Sequence, residues 1–337
     1  MSYDTQKKKY SESDYLFGTA RVRALEKALL SSALIERMLD APDEEGAIAV
    51  LREAGIEIDA ADPEASLSAI LKAAFDECTK MSADPRMIDI LRLPYDAHNI
   101  KSALKCRIRG TDCEKLLSPI GTVPTEAIKK MPHSGDYSNL PANMAKAAKK
   151  AMDDYAANRD PQMLDAALDS ACYADMTALA KEVGDPFFAE WVRRKIDMTN
   201  ILTCVRIMRM TGEDTGLAYL GIMLIPGGTL DAEFFKSCLG DGETALWKNL
   251  SFSDRGSIVS RIETEGKYSL TFIEKICEDF CLEKAKTQKS VLASAGAVAS
   301  YAIAADYMVK DIRIILAGKK AGTPTETVRE RLRDTYV

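Results

Sequence analysis

"DMTNILTCVRIMRMTG", residues 197–212, has the apolar spacing of a helix, yet it places Asp197 and Asn200 one turn apart among apolar residues and closes on arginines and a glycine. An earlier stretch, "YDAHNIKSALKCRIRG" at 95–110, makes nearly the same choice with Asp96, Asn99, Arg107, Arg109 and Gly110. Residues i and i+3 share a helix face, so each stretch sets a carboxylate beside an amide. Both stretches are also the same distance from a helix start. Asp84 and Asp185 each stand 12 residues before the aspartate (96 − 84, 197 − 185) and 15 before the asparagine, and an isoleucine follows each asparagine. The offset of 101 residues is too long for a solenoid unit and suits a small helical domain duplicated within the chain.

The punctuation around these stretches is helical. Asp62-Pro63, Asp84-Pro85, Asp160-Pro161 and Asp185-Pro186 each offer an N-cap acceptor followed by proline at the first helical position, where its missing N–H costs little. Gly55, Gly110, Gly184 and Gly212 close apolar-periodic segments as C-terminal stops do. Alternating runs of Val, Ile and Thr that would mark strands are almost missing. The expected fold is all-α.

A second motif extends the repeat. "GTVPTEAI" at 121, "GTLDAEFF" at 228 and "GTPTETV" at 322 each read Gly-Thr, a short turn, then a glutamate one turn before an apolar residue. That is a loop entering a helix with an acidic residue near its positive end. Upstream of the third copy, "MVKDIRIILAGKKAGT" at 308–323 puts Met308 where the aspartate should be and Asp311 where the asparagine should be, so this copy keeps the outline and loses the polar pair. Three repeats follow, spanning 1–119, 120–226 and 227–337.

The 337 residues, 47% of them hydrophobic, can bury a sizeable core, and a net charge of −6 argues against nucleic acid, whose binding needs a surplus of Lys and Arg. Lys7-Lys8-Lys9 and Lys149-Lys150 read as solvated faces. The eight cysteines include no C-x-x-C pair, and with no N-terminal signal sequence in view they are expected as free thiols of a cytosolic protein. Cys277 and Cys281 share a helix face, but no histidine or third cysteine stands near to complete a metal site. "VLASAGAVASYAIAA" at 291–305 is shorter than the roughly 20 residues a bilayer span needs, and its small side chains suit a tightly packed core helix.

Catalytic signals are thin. "AGKKAGT" at 317 lacks the first glycine and the hydroxyl of a phosphate loop. Gly227-Gly228 has neither the spacing nor the preceding strand of a dinucleotide cradle. His98 and His133 are the only histidines, and the second copy has Thr199 in place of His98. No catalytic residue, cofactor or metal is expected. Three uses of the Asp-x-x-Asn pairs stay open: a base with an oxyanion donor, anchors that fix helices within each repeat, or a polar socket for another protein. Duplication speaks against the first, because an active site gathers unlike residues once. A free-standing helical scaffold is the alternative to any larger assembly, and a helical hydrolase using Asp96 or Asp197 is the second rival.

"YLFGTARVRALEKALLSSALIERMLD" at 15–40, the Asp-x-x-Asn-Ile helices at 96 and 197, and "VKDIRIILAGKKAGTPTETVRERL" at 309–332 together resemble the C subunits of the archaeal and bacterial A/V-type ATPases, whose eukaryotic counterpart is the V-ATPase d subunit. The likeness runs from about residue 10 to residue 337 and rests on the ordered set of motifs. The last repeat departs from it: the family's Glu-Ile-x-Asn-Ile-Arg is Met308-Val309-Lys310-Asp311-Ile312-Arg313 in this chain, and only Arg313 carries over. The resemblance implies a funnel of three pseudo-symmetric helical domains on the cytoplasmic face of a membrane, peripheral to it. Such a funnel joins the D and F subunits of the central stalk to the proteolipid rotor ring, with the membrane stator protein as a further candidate neighbour. ATP chemistry would then lie in other subunits, with H+ or Na+ moved by the ring. Arg21, Arg23, Asp96, Asn99, Arg107, Asp197, Asn200, Arg206 and Arg313 are the candidates for a partner-facing polar surface or for the networks that shape it.

Overall fold

The structure is a computed structural model and describes residues 10–158, 161–210 and 213–337. Among the described residues every regular element is helical. In chain order these are α1 (Leu16–Leu25), α2 (Ser32–Asp40), α3 (Glu44–Glu53), α4 (Pro63–Met81), α5 (Arg86–Arg109), α6 (Thr125–Ser134), α7 (Ala142–Asn158), α8 (Pro161–Val183), α9 (Pro186–Met210), α10 (Glu213–Met223), α11 (Ala232–Asp241), α12 (Glu243–Ser251), α13 (Gly256–Glu265), α14 (Leu270–Lys286), α15 (Ala295–Lys320) and α16 (Thr325–Arg329). They form two compact units, one from residues 86–246 and the other from residues 10–85 with 247–337.

In the first unit α8 is the shared neighbour of α5, α7 and α9, and α9 also packs on α10 and α11. Leu164, Leu168, Cys172, Met176 and Ala180 recur every four residues along α8 and are all buried, which is the apolar stripe a packed helix needs. The flank of the α5–α8 contact is ionic at the same spacing. Lys101 meets Asp169 at 2.7 Å and Lys105 meets Asp165 at 2.6 Å.

In the second unit α15 is central and packs on α1, α3, α4 and α14. Its first turns, Ala295 to Ala305, are buried throughout except Tyr301, and small side chains there let neighbours approach closely. Gly18 of α1 shows how closely: a Cβ at that position would lie 2.8 Å from the Met81 carbonyl oxygen and 3.2 Å from the Val298 side chain. The apolar stretch at 291–305 is therefore a core helix over most of its length. It begins only at Ala295, where Ser294 accepts the Ala297 N–H at 2.9 Å, and Leu292 before it stays 79% exposed.

Local punctuation explains where helices start and stop. Asp62 accepts the Ala65 N–H at 3.0 Å with Pro63 first in α4, and Asp185 accepts the Phe187 N–H at 2.9 Å with Pro186 first in α9. At Asp84-Pro85 the helix starts one residue later, at Arg86, and the buried Asp84 accepts the Tyr10 hydroxyl at 3.3 Å. Asp160 and Gly212 lie outside the described residues. All eight cysteines are buried free thiols, and burial pushes Cys204 up to about 12, which keeps it protonated and unreactive at neutral pH. No helix of the described residues is long and apolar enough to cross a membrane.

Candidate functional site

The two polar pairs sit mid-helix on α5 and α9, and all four side chains are buried. Each pair grips a loop farther along the chain, the one between α5 and α6 for the first pair and the one between α10 and α11 for the second. Asn99 takes the Ser118 N–H on its Oδ1 at 2.7 Å and returns a carboxamide hydrogen to the Ser118 carbonyl at 2.8 Å. Asn200 repeats the exchange with Ile225 at 2.9 and 2.8 Å. Only an amide can do this, because it carries a donor and an acceptor on one planar group.

The aspartates grip the Gly-Thr turns. Asp96 accepts the Thr122 N–H at 3.0 Å, the Thr122 hydroxyl at 2.6 Å and the Val123 N–H at 3.0 Å. Asp197 accepts the Thr229 N–H at 2.9 Å, the Thr229 hydroxyl at 2.6 Å and the Leu230 N–H at 3.1 Å. Buried carboxylates require such compensation. Burial still raises the Asp96 carboxyl above its ordinary value, opposed by these hydrogen bonds and by the charge of Arg92. Arg92 is itself buried and donates to the Ile120 carbonyl at 3.1 Å, so three residues of α5 hold one loop.

The glycines of the first two turns serve close approach. A Cβ at Gly121 would lie 2.3 Å from Asp96 Oδ1, and one at Gly228 would lie 2.2 Å from Asp197 Oδ1. The third Gly-Thr turn uses its glycine differently: Gly322 has φ of +64°, a left-handed conformation at a helix end, with open space around it. Gly121→Ala and Gly228→Ala should each cost about 2–3 kcal/mol, since a methyl group must displace a carboxylate held by three donors. Gly322→Ala should cost about 1 kcal/mol, from backbone strain alone. Urea midpoints of the three variants at constant m-value test that order.

Enclosure also decides what these carboxylates can do. Asp96 and Asp197 are 0% exposed and spend their oxygens on their own loops. A general base must reach a substrate proton, and neither carboxylate is placed to do so. His98 is exposed and binds the Leu116 carbonyl through Nε2 at 3.0 Å, a surface contact beside the same loop.

The sequence profile of the family described as "ATP synthase (C/AC39) subunit" matches residues 19–331, nearly the whole chain and both anchored loops. The chain belongs to the ATP synthase (C/AC39) subunit family. It is similar to the C subunit of the V-type sodium ATPase of Enterococcus hirae, 20% identical over 82% of this chain and 83% of that protein. It is likewise similar to the C subunits of the A-type ATP synthases of Haloquadratum walsbyi and Thermococcus kodakarensis. The first is 24% identical over 95% of this chain and 98% of the relative, and the second is 20% identical over 98% and 93%.

The arginine candidates of this C/AC39 chain are dispersed. Arg23 is half-buried, pairs with Glu26 at 2.5 Å and donates to the Gln288 carbonyl at 2.5 Å, which ties α1 to the segment before α15. Arg313 is exposed and forms a two-point contact with Glu64 at 2.6 and 2.8 Å. Arg21 and Arg107 are exposed. Arg206 is exposed at a groove of about 400 Å³ in the first unit, where Thr203, Ile207, Met210, Tyr219 and Met223 form the walls.

Two further buried carboxylates do the same kind of work without having been picked out from the sequence. Asp175 of α8 holds the start of α7, accepting the Asn143 and Met144 N–H groups at 2.9 Å each and the Asn143 carboxamide at 2.8 Å. Asp279 of α14 takes Lys275 at 2.6 Å, Arg261 at 3.1 Å and the Asp334 N–H at 2.8 Å. Their signal was present, an aspartate inside an apolar helical stretch, but without a twin at fixed offset it did not stand out.

Proposed function

We propose that this chain is a non-catalytic coupling component of a rotary V/A-type ATPase, joining the D and F subunits of the central stalk to the membrane rotor ring on the cytoplasmic side. Its three repeats, 1–119, 120–226 and 227–337, form the funnel-like socket that grips the stalk. Family membership and relatives named as the C subunits of V-type and A-type enzymes support this reading. The observation that carries it is the twice-built clamp, in which equivalent residues of α5 and α9 hold equivalent loops. A catalytic centre is asymmetric and single, whereas a part that positions surfaces around a shaft repeats its supports.

Within this reading the buried pairs set loop positions, and exposed arginines meet the partner. Arg107 and Arg206 are the best placed for contact, being exposed near the ends of the two anchor helices. Co-elution of the full chain with the D and F stalk proteins from the same organism tests the assignment. A stable ternary complex is expected, weakened about tenfold by Arg206→Glu through charge reversal and weakened further by salt. Failure to associate with D and F, both alone and with the rotor ring present, would overturn the assignment in favour of a free-standing helical scaffold.

A further inference from the structure

Helix α1 is covered on one side and bare on the other. Gly18, Thr19 and Val22 are buried, as is Glu26 in the short 3-10 turn Glu26–Ala28 that continues the helix. At about 100° per residue, the opposite arc carries Leu16, Phe17, Ala20, Arg21, Ala24 and Lys27, all of them exposed. A further apolar side chain reaches this arc from a distant part of the second unit. The Ser294 N–H donates to the Thr19 hydroxyl at 3.4 Å, and Arg23 donates to the Val291 carbonyl at 3.5 Å, so residues 291–294 run alongside α1. Leu292 stands between those two contacts. It is 79% exposed, Phe17 is 78% exposed and Leu16 is 50% exposed.

The free charge on this face has one sign. Arg21 and Lys27 stand on the arc, and neither has an ion-pair or hydrogen-bond partner among the described residues. Lys289, exposed and close in sequence to Leu292, adds a third cation and also donates to the Tyr336 carbonyl at 2.8 Å. The acid in the stretch from Leu16 to Ala28 is Glu26, which is turned inward and held by Arg23 at 2.5 Å and by the Tyr336 hydroxyl at 2.9 Å. Glu12 and Asp14 lie in the turn before α1, where Asp14 accepts the Ser11 N–H at 2.8 Å. Glu283, at the end of α14, is paired with Lys286 at 3.0 Å. A chain of net charge −6 thus gathers cations around its protruding apolar side chains.

We propose that this face of α1, with Leu292 beside it, docks on the surface of a lipid bilayer that carries anionic headgroups. Apolar side chains flanked by Arg and Lys are what an interfacial helix presents: the first enter the headgroup boundary and the second meet phosphate. Phe17 and Leu292 project almost freely, so whatever covers them must close around protrusions, and lipid does this without a preformed pocket. The net negative charge of the chain is repelled by the same bilayer, which turns the cationic face toward it. Three apolar side chains and a few cations make a weak, reversible contact rather than an anchor. The proposal rests on the second unit alone and stands or falls separately from the stalk and rotor assignment.

Co-sedimentation of the full chain with vesicles, without any other subunit, tests this. Vesicles of equal parts phosphatidylcholine and phosphatidylglycerol should bind it about tenfold more tightly than phosphatidylcholine alone, and the difference should vanish at about 0.5 M salt. Phe17→Ser with Leu292→Ser should weaken binding to the mixed vesicles about tenfold. Arg21→Glu with Lys27→Glu should remove the preference for the anionic lipid. All four side chains are exposed, so urea unfolding of both double variants should match that of the unaltered chain. No sedimentation with the mixed vesicles, equal binding to the two vesicle types, or binding unchanged in either double variant would overturn the proposal. The first of these results would leave the face to an acidic protein partner.

Discussion

Asp197→Ala is expected to lower the stability of the first unit by about 3–5 kcal/mol, the cost of removing one partner from a buried charged network. The carboxylate satisfies three donors, Thr229 N–H, Thr229 hydroxyl and Leu230 N–H, and no other side chain of the clamp can replace it. Thr229 is exposed, so part of the loop can turn to water after the loss and the lower end of the range applies. Asp197→Asn should cost less, about 1–2 kcal/mol, because one oxygen still accepts while the new amide hydrogens face existing donors. Asp96→Ala should match Asp197→Ala, since its contacts are the same. The two tryptophans give a clean readout: Trp191 is buried on α9, and replacing Trp247 with phenylalanine leaves it as sole reporter in urea unfolding. A loss under about 1 kcal/mol for both alanine variants would show that the loops are held by something other than the clamp.

Asp279→Ala is expected to be as damaging to the second unit, again about 3–5 kcal/mol, for a different reason. Here the buried carboxylate lies between Lys275 and Arg261, and its removal leaves two cations sharing Asp334. It also frees the Asp334 N–H, so residues 332–337 lose an anchor at the same time. The double variant Asp279→Leu with Lys275→Met should recover part of the loss, because replacing both buried partners by apolar groups removes the desolvation cost with the attraction. Trp247 unfolding in a Trp191→Phe background reads the result. A double variant less stable than Asp279→Ala would show that the pair, rather than the stranded charge, sets the energy.

The duplicated Asp-x-x-Asn pairs were legible because both members of each pair lie on one helix, three residues apart, and helix geometry alone puts them side by side. The all-α fold was legible for a similar reason: the Asp62 and Asp185 caps act on N–H groups two or three residues away, so the interaction is written into a few consecutive residues. The role of the glycines at 121, 228 and 322 was not. They share a dipeptide, but two of them leave room for a carboxylate oxygen and one adopts a left-handed turn. A glycine records only that a side chain is missing and does not say what occupies the space.

The third copy shows the same boundary. From the sequence alone, Met308 and Asp311 read as a repeat that had lost its polar pair. Asp311 in fact keeps half of the function with a different partner, the backbone and guanidinium of Arg333. Nothing local announces that partner, since the two residues are 22 apart and meet only after the chain has turned through α16.

Spacing within single segments was enough to read the helices, most of their ends and the duplicated Asp-x-x-Asn faces, while the likeness to the family needed the ordered set of motifs along the chain. The folded chain was needed to show that Asp96, Asn99, Asp197 and Asn200 point inward onto loops farther along the chain, that Asp279 and Asp311 hold residues 333 and 334, and that Arg107 and Arg206 stay exposed. A polar side chain on a helix can be satisfied by water, by a partner or by any backbone that folds over it. Which of these it meets depends on chain closure over tens of residues, which local periodicity does not encode.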